Sequence, residues 1–176
     1  MGQANCAVCD SLKLVQDKQV LSGTLPVEGF SRLSESLHDS SGSLNYRVQG
    51  TVDRRDRPLF KLQVRGTVQL QCQRCLDGFE YNVAVASTVR LVAPEALERE
   101  YDDDPDEPDC VAASKTFDLV ALIEDEVLLA LPVYPRHEEG QCKVRVASAG
   151  TTALAAKVEA FGALQSLKRK VIQSKE

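Results

Sequence analysis

No stretch of this 176-residue sequence approaches the roughly 20 uninterrupted apolar residues that a membrane-spanning helix requires. The longest candidate, "LVALIEDEVLLALPV", is broken by Glu124, Asp125 and Glu126. The opening residues "MGQANCAVCDSLKL" carry neither the basic stretch nor the continuous apolar run of a secretory signal, which predicts a cytoplasmic protein. A G-x-x-x-x-G-K-[ST] phosphate loop, a G-x-S-x-G elbow and an H-E-x-x-H helix are all missing. There are only two histidines, His38 and His137, so few routes to acid–base catalysis remain. Glu124, Asp125 and Glu126 do not supply one. Consecutive residues on a helix point in different directions, which predicts a solvated polar face.

Cysteine, in contrast, is not scarce. Six in a chain of this size could pair as three disulfides, but a reducing compartment favours thiols or metal ligation. Charge is uneven. The stretch from Glu95 to Asp109 has nine acids and one base, a local −8 that leaves +3 on the rest of a chain whose net charge is −5. A nucleic-acid partner is therefore open to the remainder, and the acidic stretch, rich in Asp and Pro, reads as a solvated loop.

The length suits one domain with a real core. We expect a single α+β domain over 1–145, with an acidic loop at 95–115, followed by a helical basic tail over 146–176. Asp10 is placed to cap a short helix "SLKLVQ", followed by a brief strand in "KQVLSGTL". Pro26 at a first helical turn, with Val27, Phe30, Leu33 and Leu37 at helical spacing, predicts a helix from about Pro26 to His38. Leu44, Tyr46 and Val48 alternate with polar residues, and Phe60, Leu62, Val64, Gly66, Val68, Leu70 and Cys72 then occupy every second position. After Cys75 the period resumes at Phe79, Tyr81, Val83, Val85, Val89 and Leu91, giving a long hairpin preceded by a third strand. The expected fold is an antiparallel β-meander with this central hairpin, covered on one face by helices. One of those helices lies in "FDLVALIEDEVLLALP", with Asp118 as N-cap, Phe117 and Leu122 as staple, and Pro132 as stop. The tail carries Leu154, Val158, Phe161, Leu164 and Leu167 at helical spacing.

The pair in "LQCQRCLDGFEYNV" needs separate weighing. A redox C-x-x-C depends on a helix N-terminus to lower the thiol pKa, and here Gly78 and a strand follow instead. Zinc needs two more ligands, and "PRHEEGQC" offers His137 and Cys142, a set of Cys72, Cys75, His137 and Cys142 that would complete a tetrahedron. On spacing alone a tight turn of small side chains, with His137 as an ordinary loop histidine, stays open. Cys6 and Cys9 form a second C-x-x-C near the terminus.

Taken in order, "LQCQRCLDGFEYNV", "FDLVALIEDEVLLALPVYPRHEEGQC" and "FGALQSLKRK" resemble three signatures of the bacterial YceD family of large ribosomal RNA subunit accumulation proteins. The family's paired cysteines fall on Cys72 and Cys75 with Arg74 between them, and its later loop cysteine falls on Cys142. Ala160 stands where the family commonly has Pro, and Cys6 and Cys9 match nothing in it. The resemblance implies a cytoplasmic, non-enzymatic factor that promotes synthesis, processing or accumulation of large-subunit (23S) ribosomal RNA. Its partner would be that RNA or a pre-ribosomal protein. For an RNA partner, Lys61, Arg65, Arg74, Lys168, Arg169 and Lys170 would supply phosphate contacts. The alternative is an adaptor whose acidic loop holds a basic ribosomal protein or assembly factor.

Overall fold

The computed structural model describes residues 8–97 and 107–142, all within the first of the chain's two units, Met1–Val144. The expected basic tail, with Lys168, Arg169 and Lys170, lies outside the described residues, as does Cys6. Among the described residues no helix is long and apolar enough to cross a membrane.

Strands β2 (Val20–Pro26), β3 (Ser43–Val52), β4 (Pro58–Gln71) and β5 (Gly78–Val92) are joined in antiparallel succession. Period-two alternation sends Leu44, Tyr46, Val48, Phe60, Leu62, Val64, Val68, Leu70, Val83 and Val85 to one buried face. The helices α1 (Ser11–Gln16) and α3 (Leu119–Ala130) pack against this sheet. α1 crosses β3 at Gly50, where any Cβ would strike the carbonyl oxygen of Leu14, so only glycine allows the helix this close. α3 begins at Asp118, whose carboxylate accepts from the Ala121 N–H, and brings Leu119, Ile123 and Val127 into the core. Phe117 meets Phe60 edge to face at 5.5 Å. A two-residue ribbon of β1 (Val8–Cys9) with β7 (Phe117–Asp118) ties the start of α1 to the start of α3.

The sheet departs from a pure meander. A fifth strand, β6 (Asp109–Ala112), lies beside β5 and runs parallel to it, so the sheet is mixed, in the order β2-β3-β4-β5-β6. A parallel neighbour needs a crossover of a dozen or more residues, and the connection from Val92 to Asp109 is long enough to supply one. β6 thus falls within the stretch read from sequence as an acidic loop. Glu107 sits beside it and pairs with Arg57 at 2.9 Å and Arg55 at 3.6 Å.

The expected helix from Pro26 to His38 is also different. Pro26 ends β2, a single 3-10 turn covers Val27–Gly29, and α2 is only Ser31–Glu35. The break is at Phe30, which is extended (φ −104°, ψ 109°) so that its ring can enter the core. The start of α2 is closed from a distance. Glu124, 6% exposed, accepts from the N–H groups of Arg32 (2.7 Å) and Leu33 (2.9 Å) and from the Arg32 guanidinium (2.9 and 3.0 Å). Burying a carboxylate costs several kcal/mol, and four charge-assisted hydrogen bonds at about 1.5–3 kcal/mol each can offset that cost. Glu124 is therefore a structural cap and not part of a solvated face.

Candidate metal centre

β4 and β5 run in register to the pair Gln71–Gly78, leaving Cys72 to Asp77 as the hairpin tip. The tip closes through two bonds, Cys72 N–H to Asp77 C=O (3.0 Å) and Leu76 N–H to Cys72 C=O (2.9 Å). Leu76 itself is left-handed, at φ 63°, and turns the chain toward Asp77 and β5. The closure curls the tip so that Cys72, fully buried, and Cys75 come to the same side.

The other two residues arrive on the segment after α3. Leu131 and Pro132 end that helix, and the chain returns along the tip, where the Gln73 N–H donates to the Pro135 carbonyl (2.9 Å). Arg74 Nη2 donates to the carbonyls of His137 (2.9 Å) and Glu138 (3.4 Å). The His137 ring lies 5.0 Å from that of Phe79. Three hydrogen bonds and a ring contact thus carry His137 and Cys142 to the cysteine pair.

The Sγ atoms of Cys72, Cys75 and Cys142 and a ring nitrogen of His137 all lie within 4.8 Å of one another. Cys72 Sγ is 3.6 Å from Cys142 Sγ, and His137 Nδ1 is 3.4 Å from Cys75 Sγ and 3.7 Å from Cys142 Sγ. Ligands about 2.3 Å (S) and 2.0–2.1 Å (N) from a shared tetrahedral centre stand roughly 3.5–3.8 Å apart, so the donor set fits zinc. Electrostatics point the same way. Burial pushes the Cys72 thiol up, but the N–H groups of Cys75, His137 and Arg74 and the His137 ring outweigh it and bring it down to about 5. Burial raises Cys142, and the neighbouring Cys72 and Cys75 raise it further. Thiols crowded around one point in this way are relieved by a cation among them.

The phosphate contacts expected from sequence are dispersed. Lys61 and Arg65 are exposed on the face of β4 opposite the core, Arg74 is at the tip bridging two carbonyls of the returning loop, and Lys168 to Lys170 lie outside the described residues. Arg47 escaped the sequence reading, and Glu124 figures in it only as part of a solvated face. Arg47 is exposed on β3 beside Lys61 and Arg65, a position the alternation around Tyr46 and Val48 already implies. Glu124 carried no such signal, because its partner Arg32 is 92 positions away.

The model of a family described as Large ribosomal RNA subunit accumulation protein YceD matches residues 60–168, a span containing all four clustered residues. A protein of Haemophilus influenzae bearing that same description is 29% identical over 167 residues, covering 92% of this chain and 94% of that protein. No solved structure matches the chain significantly.

Proposed function

This chain belongs to the YceD family, and from that premise we propose that it acts in the cytoplasm as a non-enzymatic factor for accumulation of large-subunit ribosomal RNA. In this reading Cys72, Cys75, His137 and Cys142 hold one zinc ion that locks its hairpin tip. The observation carrying the reading is the convergence of four donor atoms from two separate segments. A zinc ion with four protein ligands has no position left for water or substrate, which is the arrangement of a structural site. The ion would supply a cross-link between the tip and the loop that returns over it, fixing a surface for RNA or for a protein bound to it.

The test uses cells from which the gene has been deleted. They should show a reduced ratio of large- to small-subunit ribosomal RNA, restored by the wild-type chain and not by Cys72→Ser. An unchanged ratio after deletion removes the functional reading, and full restoration by a metal-free variant removes the zinc lock.

A further inference from the structure

On the face of the sheet away from the helices, the outward positions of β3 and β4 are Asn45, Arg47, Gln49, Lys61, Gln63 and Arg65, all exposed. The register places Arg47 opposite Gln63, with Gln49 opposite Lys61 and Asn45 opposite Arg65. Arg47 thus stands between the two β4 cations, which are about 14 Å apart at 3.4 Å per residue. None of the three makes an ion pair among the described residues, whereas Arg32, Arg55 and Arg57 all do. No acid shares this outward patch on β3 and β4, and the β5 neighbours are Ala84, Ala86 and Thr88.

We propose that this open face binds the sugar–phosphate backbone of a paired RNA stem, with Arg47, Lys61 and Arg65 contacting phosphates. The inference rests on the ribosomal RNA reading above and names the surface that would serve it. Three cations in the absence of acids are complementary to a polyanion. The outward positions of these strands around the patch hold no aromatic side chain on which splayed bases could stack, and such stacking supports single-strand binders. A paired stem needs none. It is recognised by shape, phosphates and 2′-hydroxyls, and Asn45, Gln49 and Gln63 stand among the cations as hydrogen-bonding partners for the latter.

The experiment titrates full-length protein, purified without chelator, against a labelled RNA hairpin with a long paired stem and against a single-stranded RNA of the same length. The stem binds more tightly, without sequence preference. The triple variant Arg47→Gln/Lys61→Gln/Arg65→Gln loses at least tenfold in affinity, and the slope of log K against log salt becomes shallower by about two to three units. Lys13→Gln/Lys18→Gln, in α1 and in the turn just after it, outside the patch, changes affinity less than threefold. Equal thermal unfolding of both variants excludes a folding defect. Unchanged affinity in the triple variant, or preference for the single strand, overturns the surface assignment. If ribosomal RNA levels in the deletion strain still depend on the gene, the functional reading survives that failure.

Discussion

Two polar clusters tie the second half of this chain to the first, and they reach completion by different means. Around Glu124, every polar demand is met by the protein itself: two backbone N–H groups and a guanidinium close on one carboxylate. Around Cys72, three sulfurs and a ring nitrogen from two separate segments converge on one point. A carboxylate cap is self-sufficient, whereas a donor set of three thiols and an imidazole is compatible with a zinc ion, which in the proposed reading completes it. The contrast separates a device that belongs to the fold alone from one that we propose depends on an ion, and each side can be broken independently.

The largest effect is expected at the sulfur cluster. If the four residues hold zinc as proposed, Cys72→Ser should remove a buried ligand and with it the ion, lowering stability to urea by more than about 4 kcal/mol, a loss on the scale of removed metal sites. The chelator-treated wild type should approach the same urea midpoint. Glu124→Ala comes next, at about 3 kcal/mol, because it strips the cap from α2 and the partner from Arg32. Metal content in that variant should stay at the wild-type level, so a coupled loss of zinc would show that the two clusters are not separate.

Acidification sharpens the contrast further. Burial pushes the Glu124 carboxyl up, but the Leu33 N–H and the Arg32 guanidinium and N–H prevail and hold it below its ordinary value. A folded pKa below the unfolded one means stability fully present above the usual glutamate range and lost as pH falls through the lowered value. Urea midpoints from neutral to acidic pH should therefore drop for the wild type, and Glu124→Gln should flatten that part of the profile. A parallel profile for the two proteins would contradict the assignment. The smallest effect belongs to Arg74→Ala, about 1 kcal/mol, since it removes hydrogen bonds to two exposed-loop carbonyls. Its clearer sign should be faster zinc transfer to a colorimetric chelator.

How much of this the sequence revealed depended on range. Strands β3 to β5 were legible because each residue's alternation is local and strong, and Asp10 and Asp118 were legible as caps because they act three residues away. The break at Phe30 was not, since its cause is a core pocket and a carboxylate 92 and 91 positions beyond the groups it caps. β6 was hidden for a similar reason: four residues at the end of an acidic stretch acquire strand character from the edge of β5. At the candidate site, the ligand types were readable from Cys72, Cys75, His137 and Cys142, and their convergence was not. That convergence depends on the Gln73–Pro135 and Arg74–His137 hydrogen bonds, which no spacing rule anticipates.

The central claim is that the four residues form a filled zinc site. X-ray absorption at the zinc edge, on full-length protein purified under reducing conditions without chelator, tests it most directly. The account predicts one zinc per chain, with three sulfurs at about 2.3 Å and one nitrogen at 2.0–2.1 Å. Protein free of metal, or zinc in a shell made mainly of oxygen, would contradict it.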